Sequence, residues 1–348
     1  MKIAVDAMGG DFAPLEIVKG VELARDQFTD IEFELFGDEK QITAILQNSD
    51  RVNIHHTDVT IDMGEEPVKA IRRKKDSSLV LAATAVKNGE ADAFFSAGNT
   101  GAVLAAGIFV IGRIKGIDRP GLATVLPNLS GKGDHEYFVM MDMGANAESK
   151  PAHLYQYGFL GDFYAEKMLG YTKPTVGLLN LGTEEDKGDA VHKEAWQLLN
   201  GSDTLNFIGN VEARELLNGA ADVVVTDGSN GNTALKAIEG TALTMLKMIK
   251  AAIMENGVTA KIGGALLKPA LKGLQGKLDY SKAGGAVILG VNAPVVKTHG
   301  SAKAEAVSNT FAQIHQMITS NLVPDIQAYV AAHKDDLSAK QLDAEQDN

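Results

Sequence analysis

The strongest constraint on this chain is a rhythm: short apolar runs of strand character alternate with segments of helical spacing along nearly its whole length. The runs KIAVDA, IEFELFG, VNIHH, ADAFFSAG, GLATVLP, YFVMMDMG, TVGLLNLG, LNFIG, ADVVVTDG and AVILGV alternate with stretches such as PLEIVKGVELARDQF, TGAVLAAGIFVIGRI and AHLYQYGFLGDFYAEKML. Alternation of this kind favours βαβ units, and so an α/β fold with a doubly wound, mostly parallel sheet carrying helices on both faces. The near-continuous apolar character of ADVVVTDG and TVGLLNLG fits strands buried on both sides. A chain of 348 residues accommodates one elaborated domain or two closely joined ones. We expect a single catalytic domain over residues 1–333 and a polar, fraying tail over 334–348.

What ends the strands narrows the function. DAMGGD (with Gly9, Gly10 and Asp11) follows the first run, and SAGNTG (Ser96, Gly98, Asn99, Thr100, Gly101) the fourth. DMGAN (Asp142, Asn146), NLGTEEDKG (Lys187) and TDGSNGN (Asp227, Gly228, Gly231, Asn232) follow three later ones. In doubly wound sheets ligands bind outside the carboxyl ends of the strands, so these turns are expected to converge on one crevice. Small residues leave backbone amides bare, and a helix N-terminus favours an anion, phosphate above all. The plainer reading is that Asn99 or Thr100 merely caps a helix, and ordinary βα loops also favour Gly, Asn and Asp.

Several chemistries are excluded by what is missing. Zero cysteines removes disulfides, thiolate metal sites and a cysteine nucleophile. There is no G-x-G-x-x-G after the first strand, no P-loop, no H-E-x-x-H, and DGSNGN is not a nucleophile elbow. His55 and His56 are adjacent on a strand and point to opposite faces, so no metal site is read, and no cofactor. What remains is amides, carboxamides, a lysine and aspartates. Such a set suits a reaction in which the substrate supplies the nucleophile and the protein supplies positioning and electrostatics. Inorganic phosphate is a nucleophile of that kind.

As an ordered set, VDAMGGDFAP, RRKKDSS, SAGNTGA, GRIKGIDRP, DMGAN, NLGTEEDKG, FIGNVEAR and VVTDGSNGN resemble the bacterial phosphate acyltransferases of phospholipid synthesis, from residue 1 to about 330. The resemblance implies a homodimer with a fold akin to the isocitrate and isopropylmalate dehydrogenases and to phosphotransacetylase. It implies transfer of a long-chain fatty acyl group from acyl carrier protein to inorganic phosphate. It implies that the acyl phosphate product then passes to the membrane acyltransferase that acylates glycerol 3-phosphate. It also implies Lys187 and Asn232 as catalytic residues. Lysine offers a compact cationic donor, and asparagine donates to a carbonyl oxygen without changing charge. Without the resemblance, Lys187 reads as a solvated charge near a helix start and Asn232 as a helix cap. Asp6, Asp11, Asp142 and Asp227 are expected to shape turns rather than act as bases. A dehydrogenase on the same kind of fold would need an adenosine-binding signature that is not found, and intact polar turns argue against a non-catalytic membrane scaffold.

Charge separates the partners. The net charge of −12 argues against nucleic acid. Against that background Arg72, Arg73, Lys74 and Lys75 stand side by side, either as a solvated helix face or as a docking patch for an acidic carrier protein. Residues 258–278 carry four lysines and no acid, with Ile262, Leu266, Leu267, Lys268, Leu271 and Lys272 among them. We expect a projecting helical hairpin over 240–280, with this basic amphipathic stretch at a membrane surface or in a dimer interface. Its glycines and Pro269 are poor for a long rigid helix. The opening MKIAVDAMGGD enters a strand without a signal-type segment, so a cytoplasmic protein that binds the membrane reversibly is expected.

Overall fold

The computed structural model describes residues 1–130, 135–278 and 284–333, and the side chains of Lys272 and residues 274–278 also lie outside the description. The expected tail, 334–348, is outside the described residues as well. The strands are β1 (Lys2–Asp6), β2 (Glu32–Gly37), β3 (Val52–His56), β4 (Ala93–Ser96), β5 (Gly121–Pro127), β6 (Tyr137–Met141), β7 (Thr175–Asn180), β8 (Asn206–Glu212), β9 (Val223–Val225), β10 (Ala286–Leu289) and β11 (Val295–Lys297). The helices are α1 (Leu15–Gln27), α2 (Glu39–Ile45), α3 (Pro67–Arg73), α4 (Ser78–Lys87), α5 (Thr100–Ala106), α6 (Pro151–Leu169), α7 (Ala190–Asn200), α8 (Gly228–Glu255), α9 (Gly257–Leu278), α10 (Ala304–Thr319) and α11 (Leu322–Ala332).

Among the described residues one sheet runs in the order β3-β2-β1-β4-β11-β10-β5-β6-β9-β7-β8. Each of the ten apolar runs forms a strand. The inner ones do so because their side chains are buried on both faces, β4 and β9 throughout, whereas the outermost strands β3 and β8 are partly exposed. One cluster, around Phe33, Phe95, Phe311 and Tyr157, fills one face, and a second, around Phe94, Phe138 and Val224, fills the other.

The pairing is mostly parallel, but three central contacts, β11/β10, β10/β5 and β5/β6, are antiparallel. An odd number of antiparallel steps inverts strand direction across the sheet. The block β3-β2-β1-β4-β11 therefore runs opposite to the block β6-β9-β7-β8. This corrects the expectation of a single crevice. The turns after β1 and β4 stand at one edge of the sheet, and those after β6, β9 and β7 stand at the other.

The basic stretch is also built differently from expectation. Residues 257–278 form one helix with Pro269 inside it, and the preceding helix starts at Gly228 rather than near 240. The helices α8 and α9 pack on each other, with Gly264 against Ile253.

Candidate active site

At the edge where β6, β9 and β7 end, Asp142 is the organiser. Its carboxylate is fully buried and accepts from the N–H groups of Leu122, Gly144, Ala145 and Asn146 and from the Asn146 amide, at 2.9–3.1 Å. Burial pushes its pKa above the usual carboxylate range, while these five N–H donors favour the ionised form. Asn146 is spent on structure, donating also to the Pro120 carbonyl and the Tyr157 hydroxyl. The long helix α8 then docks its first turn on this loop. A Cβ at Gly231 would overlap the Asp142 carbonyl oxygen and one at Gly228 the Asn146 carbonyl oxygen, so only glycine permits the approach.

The cap of α8 is Asp227, which accepts from the Asn230 backbone N–H at 2.9 Å. Asn232, one turn further on, is therefore not the cap. It lies half-buried over Gly144, and its carboxamide makes no hydrogen bond among the described residues. Lys187 sits in the loop after β7, held by the Asn180 amide on its carbonyl and by the Asn210 amide on the Glu184 carbonyl. Its own ammonium is largely uncommitted: among the described residues its one ion pair, to Glu184, is 3.8 Å long and exposed. Sequence reasoning missed His192, which ties the two turns together. Its Nδ1 is 2.8 Å from Asp189 and its Nε2 3.6 Å from Asp227.

The opposite edge is packed differently. Asp6, fully buried, accepts from the Ser78 hydroxyl at 2.6 Å and the Ser96 hydroxyl at 2.7 Å, and Ser96 Oγ accepts from the Gly98 N–H. A Cβ at Gly9 would press on Asp6, Gly98 and Ser96, and the Asp11 N–H donates to the Gly300 carbonyl at 2.8 Å. Asn99 is a cap after all: its Oδ1 accepts from the Ala102 N–H, and its Nδ2 donates to the carbonyls of Asp62, Met63 and Glu65. Thr100 is exposed, and Gly101 packs against Pro67. Gly10 adopts a positive φ of 112° beside Ala97 and Gly300.

Around this edge Arg72, Arg73 and Lys75 are exposed, whereas Lys74 bonds Glu65 at 2.5 Å and the Thr60 carbonyl at 2.8 Å and is not part of a free patch. Elsewhere Asp38, His56 and Asp58 bring ligand-type atoms within 4.8 Å of one another at the surface, but Asp38 already caps α2.

The overall α/β fold is similar to that of solved phosphotransacylases. Solved structures of similar fold include a phosphotransacetylase from Streptococcus pyogenes (TM-score 0.60, 16% identity, covering 93% of this chain and 94% of that one). Another is a branched-chain phosphotransacylase from Enterococcus faecalis V583 (TM-score 0.56, 14% identity, covering 91% and 99%). Sequence carries the assignment further. The family described as "Fatty acid synthesis protein" matches residues 1–324. A phosphate acyltransferase of Leuconostoc citreum is 65% identical over 97% of both chains, and one of Pediococcus pentosaceus is 56% identical over 100% of both. The chain belongs to the phosphate acyltransferase family and is an acyltransferase.

Proposed function

We propose that this enzyme moves a long-chain fatty acyl group from the phosphopantetheine thioester of acyl carrier protein to inorganic phosphate, for membrane phospholipid synthesis. A phosphate oxygen attacks the thioester carbonyl and forms the new C–O bond. The C–S bond breaks, and the departing carrier thiolate takes up the proton released by phosphate. The reading rests most on Asn232, a half-buried carboxamide without a partner among the described residues on the first turns of α8, whose cap Asp227 is linked through His192 to the segment that follows Lys187. We read Lys187 and Asn232 as two donors to the oxyanion, in a chain without a cysteine to form an acyl-enzyme. The turns bearing Asp142, Asn146, Asp227, Gly228 and Gly231 hold those donors in place.

Acyl carrier protein is assigned to the exposed Arg72, Arg73 and Lys75, where opposite charge steers an acidic partner. The helices α8 and α9 form the arm of a homodimer and a reversible membrane contact. Leu243, Met248, Ile262, Leu266 and Leu267 are all more than half exposed there, with Lys261 and Lys268 among them, an apolar surface of the kind that marks an interaction site. Leu271 is half-buried on the same helix. None of the described helices is long and apolar enough to cross a membrane. The consumer of acyl phosphate is then a membrane glycerol 3-phosphate acyltransferase.

The test is acyl phosphate formation from purified acyl carrier protein and phosphate, compared between the natural enzyme and Lys187→Ala. Loss of most turnover with an unchanged circular dichroism spectrum is expected. Natural-level turnover in that variant would remove Lys187 from the mechanism.

A further inference from the structure

At the carboxyl ends of β1, β4 and β11, Asp6, Ser96 and Lys297 form one row on one face of the sheet. Lys297 is paired in register with Ser96, and Ser96 is bonded to Asp6. Lys297 is the outlier in this row. It is 9% exposed, yet its ammonium donates only to the neighbouring Thr298 carbonyl, at 2.7 Å, and has no carboxylate at ion-pair distance among the described residues. Asp6 is one strand beyond Ser96 and is already engaged by two hydroxyls. Among the described residues, two of the three ammonium protons have no protein acceptor. A buried charge is retained only when it is paired and hydrogen-bonded, so the site is incomplete as a protein-only structure.

The surroundings say what completes it. Three turns meet there, those holding Gly9–Asp11, Ser96–Gly98 and Thr298–Gly300. They are clasped by Asp11 N–H to Gly300 O and by Thr298 N–H to Ser96 O at 3.2 Å. We propose that Lys297 is the cation of a second phosphate-oxyanion site, at the sheet edge opposite Asn232. Assigning that oxyanion to the acyl-transfer reaction rests on the function proposed above. Two substrates of that reaction carry the required chemistry, inorganic phosphate itself and the phosphodiester of the carrier's pantetheine arm.

Burial also lowers the Lys297 pKa to about 8, with the negative charge of Asp11 working in the opposite sense. Of the other titratable groups, Asp6 lies in the same row beyond Ser96, and His299, two residues along the chain, is bonded to Ser301. A bound oxyanion stabilises the charged amine, so binding above pH 8 must be accompanied by proton uptake.

The experiment has three arms. Calorimetric titration of the natural enzyme with inorganic phosphate at pH 8.5, in buffers of different ionisation enthalpy, is expected to show proton uptake that Lys297→Met abolishes. Kinetically, Lys297→Met is expected to raise the KM for phosphate at least tenfold if inorganic phosphate is the ligand. If the pantetheine phosphodiester is the ligand, it raises the KM for acyl carrier protein instead and leaves acyl-pantetheine without the phosphate unaffected. An enzyme that takes up no proton from either phosphate or carrier protein, with both KM values unchanged in Lys297→Met, overturns the site. Because the proton-uptake arm uses the natural enzyme, it reads out even if the variant does not fold. Lys297-dependent phosphate binding without acyl phosphate formation would keep the site and discard the proposed reaction.

Discussion

Asn99 and Asn232 stand near equivalent points of the two opposed edges, each just after a strand and near the start of a helix, and their side chains do opposite things. Asn99 spends its whole carboxamide on the protein, one acceptor on α5 and two donor hydrogens shared among three carbonyls. Asn232 spends nothing, because Asp227 has taken over capping. The turn rich in Gly and Asn is therefore not one device. At one edge it seals structure, and at the other it leaves donors free. The buried carboxylates differ in the same way: Asp6 is held by serine hydroxyls, Asp142 by N–H groups arranged around its loop.

The comparison is most exposed to failure at Asn232. Asn232→Ala is expected to lower kcat by about 10²–10³, equivalent to about 2.7–4 kcal/mol for a lost oxyanion donor, with the melting temperature hardly moved. A large drop in melting temperature with kcat preserved would reverse the assignment. Asn99→Ala is expected to do the converse. It leaves three carbonyls and an α5 amide unsatisfied and costs about 2 kcal/mol of stability, read as a lower denaturant midpoint, with residual activity per folded molecule near normal.

Lys297→Met sharpens the contrast through pH. The folded pKa of about 8 lies below the ordinary lysine value, so the unfolded chain binds the extra proton between about pH 8 and 10.5. The natural protein must therefore gain stability as pH rises through that window. At pH 7 the methionine variant is expected to be more stable by about 3 kcal/mol, a gain that disappears by about pH 10.5. A stability difference independent of pH would show that the amine is not an unpaired buried cation. The smallest effect on turnover is expected from Leu267→Glu with Leu271→Glu on α9. Activity on soluble carrier protein should stay near normal while co-sedimentation with anionic vesicles is lost. Unchanged co-sedimentation would discard the membrane role, and dissociation of a dimer in the same variant would assign the leucines to an interface.

Much of the fold was legible in the sequence because its strands are buried on both faces, which forces continuous apolar runs such as ADVVVTDG. The eleventh strand was not: Val295–Lys297 is three residues long, follows Pro294 and ends in a charge. That small omission hid a long-range fact, since β10 and β11 come from late in the chain yet insert between β4 and β5, while the second block is inverted by the antiparallel β5/β6 step. Strand order is a long-range property that local patterning does not encode. Lys297 went unremarked for the same reason, although a lysine closing an apolar run before THG was a visible signal. The turns themselves were legible, but which asparagine would be consumed depended on backbone carbonyls, those of residues 62–65, delivered from a distant loop.

The helix α8 has 28 residues and so extends about 42 Å. Its first turn is wedged against Asp142 through Gly228 and Gly231, while Leu243, Met245 and Met248 further along are more than half exposed. One unbroken rod thus has its foot at the proposed active site and its shaft in the open. Anything that grips the shaft acts as a hand on a lever, and a tilt there reaches that site as a small rotation of Asn232 against Gly144. If Asn232 holds the reacting carbonyl as proposed, its orientation and that of the exposed shaft are set by the same axis.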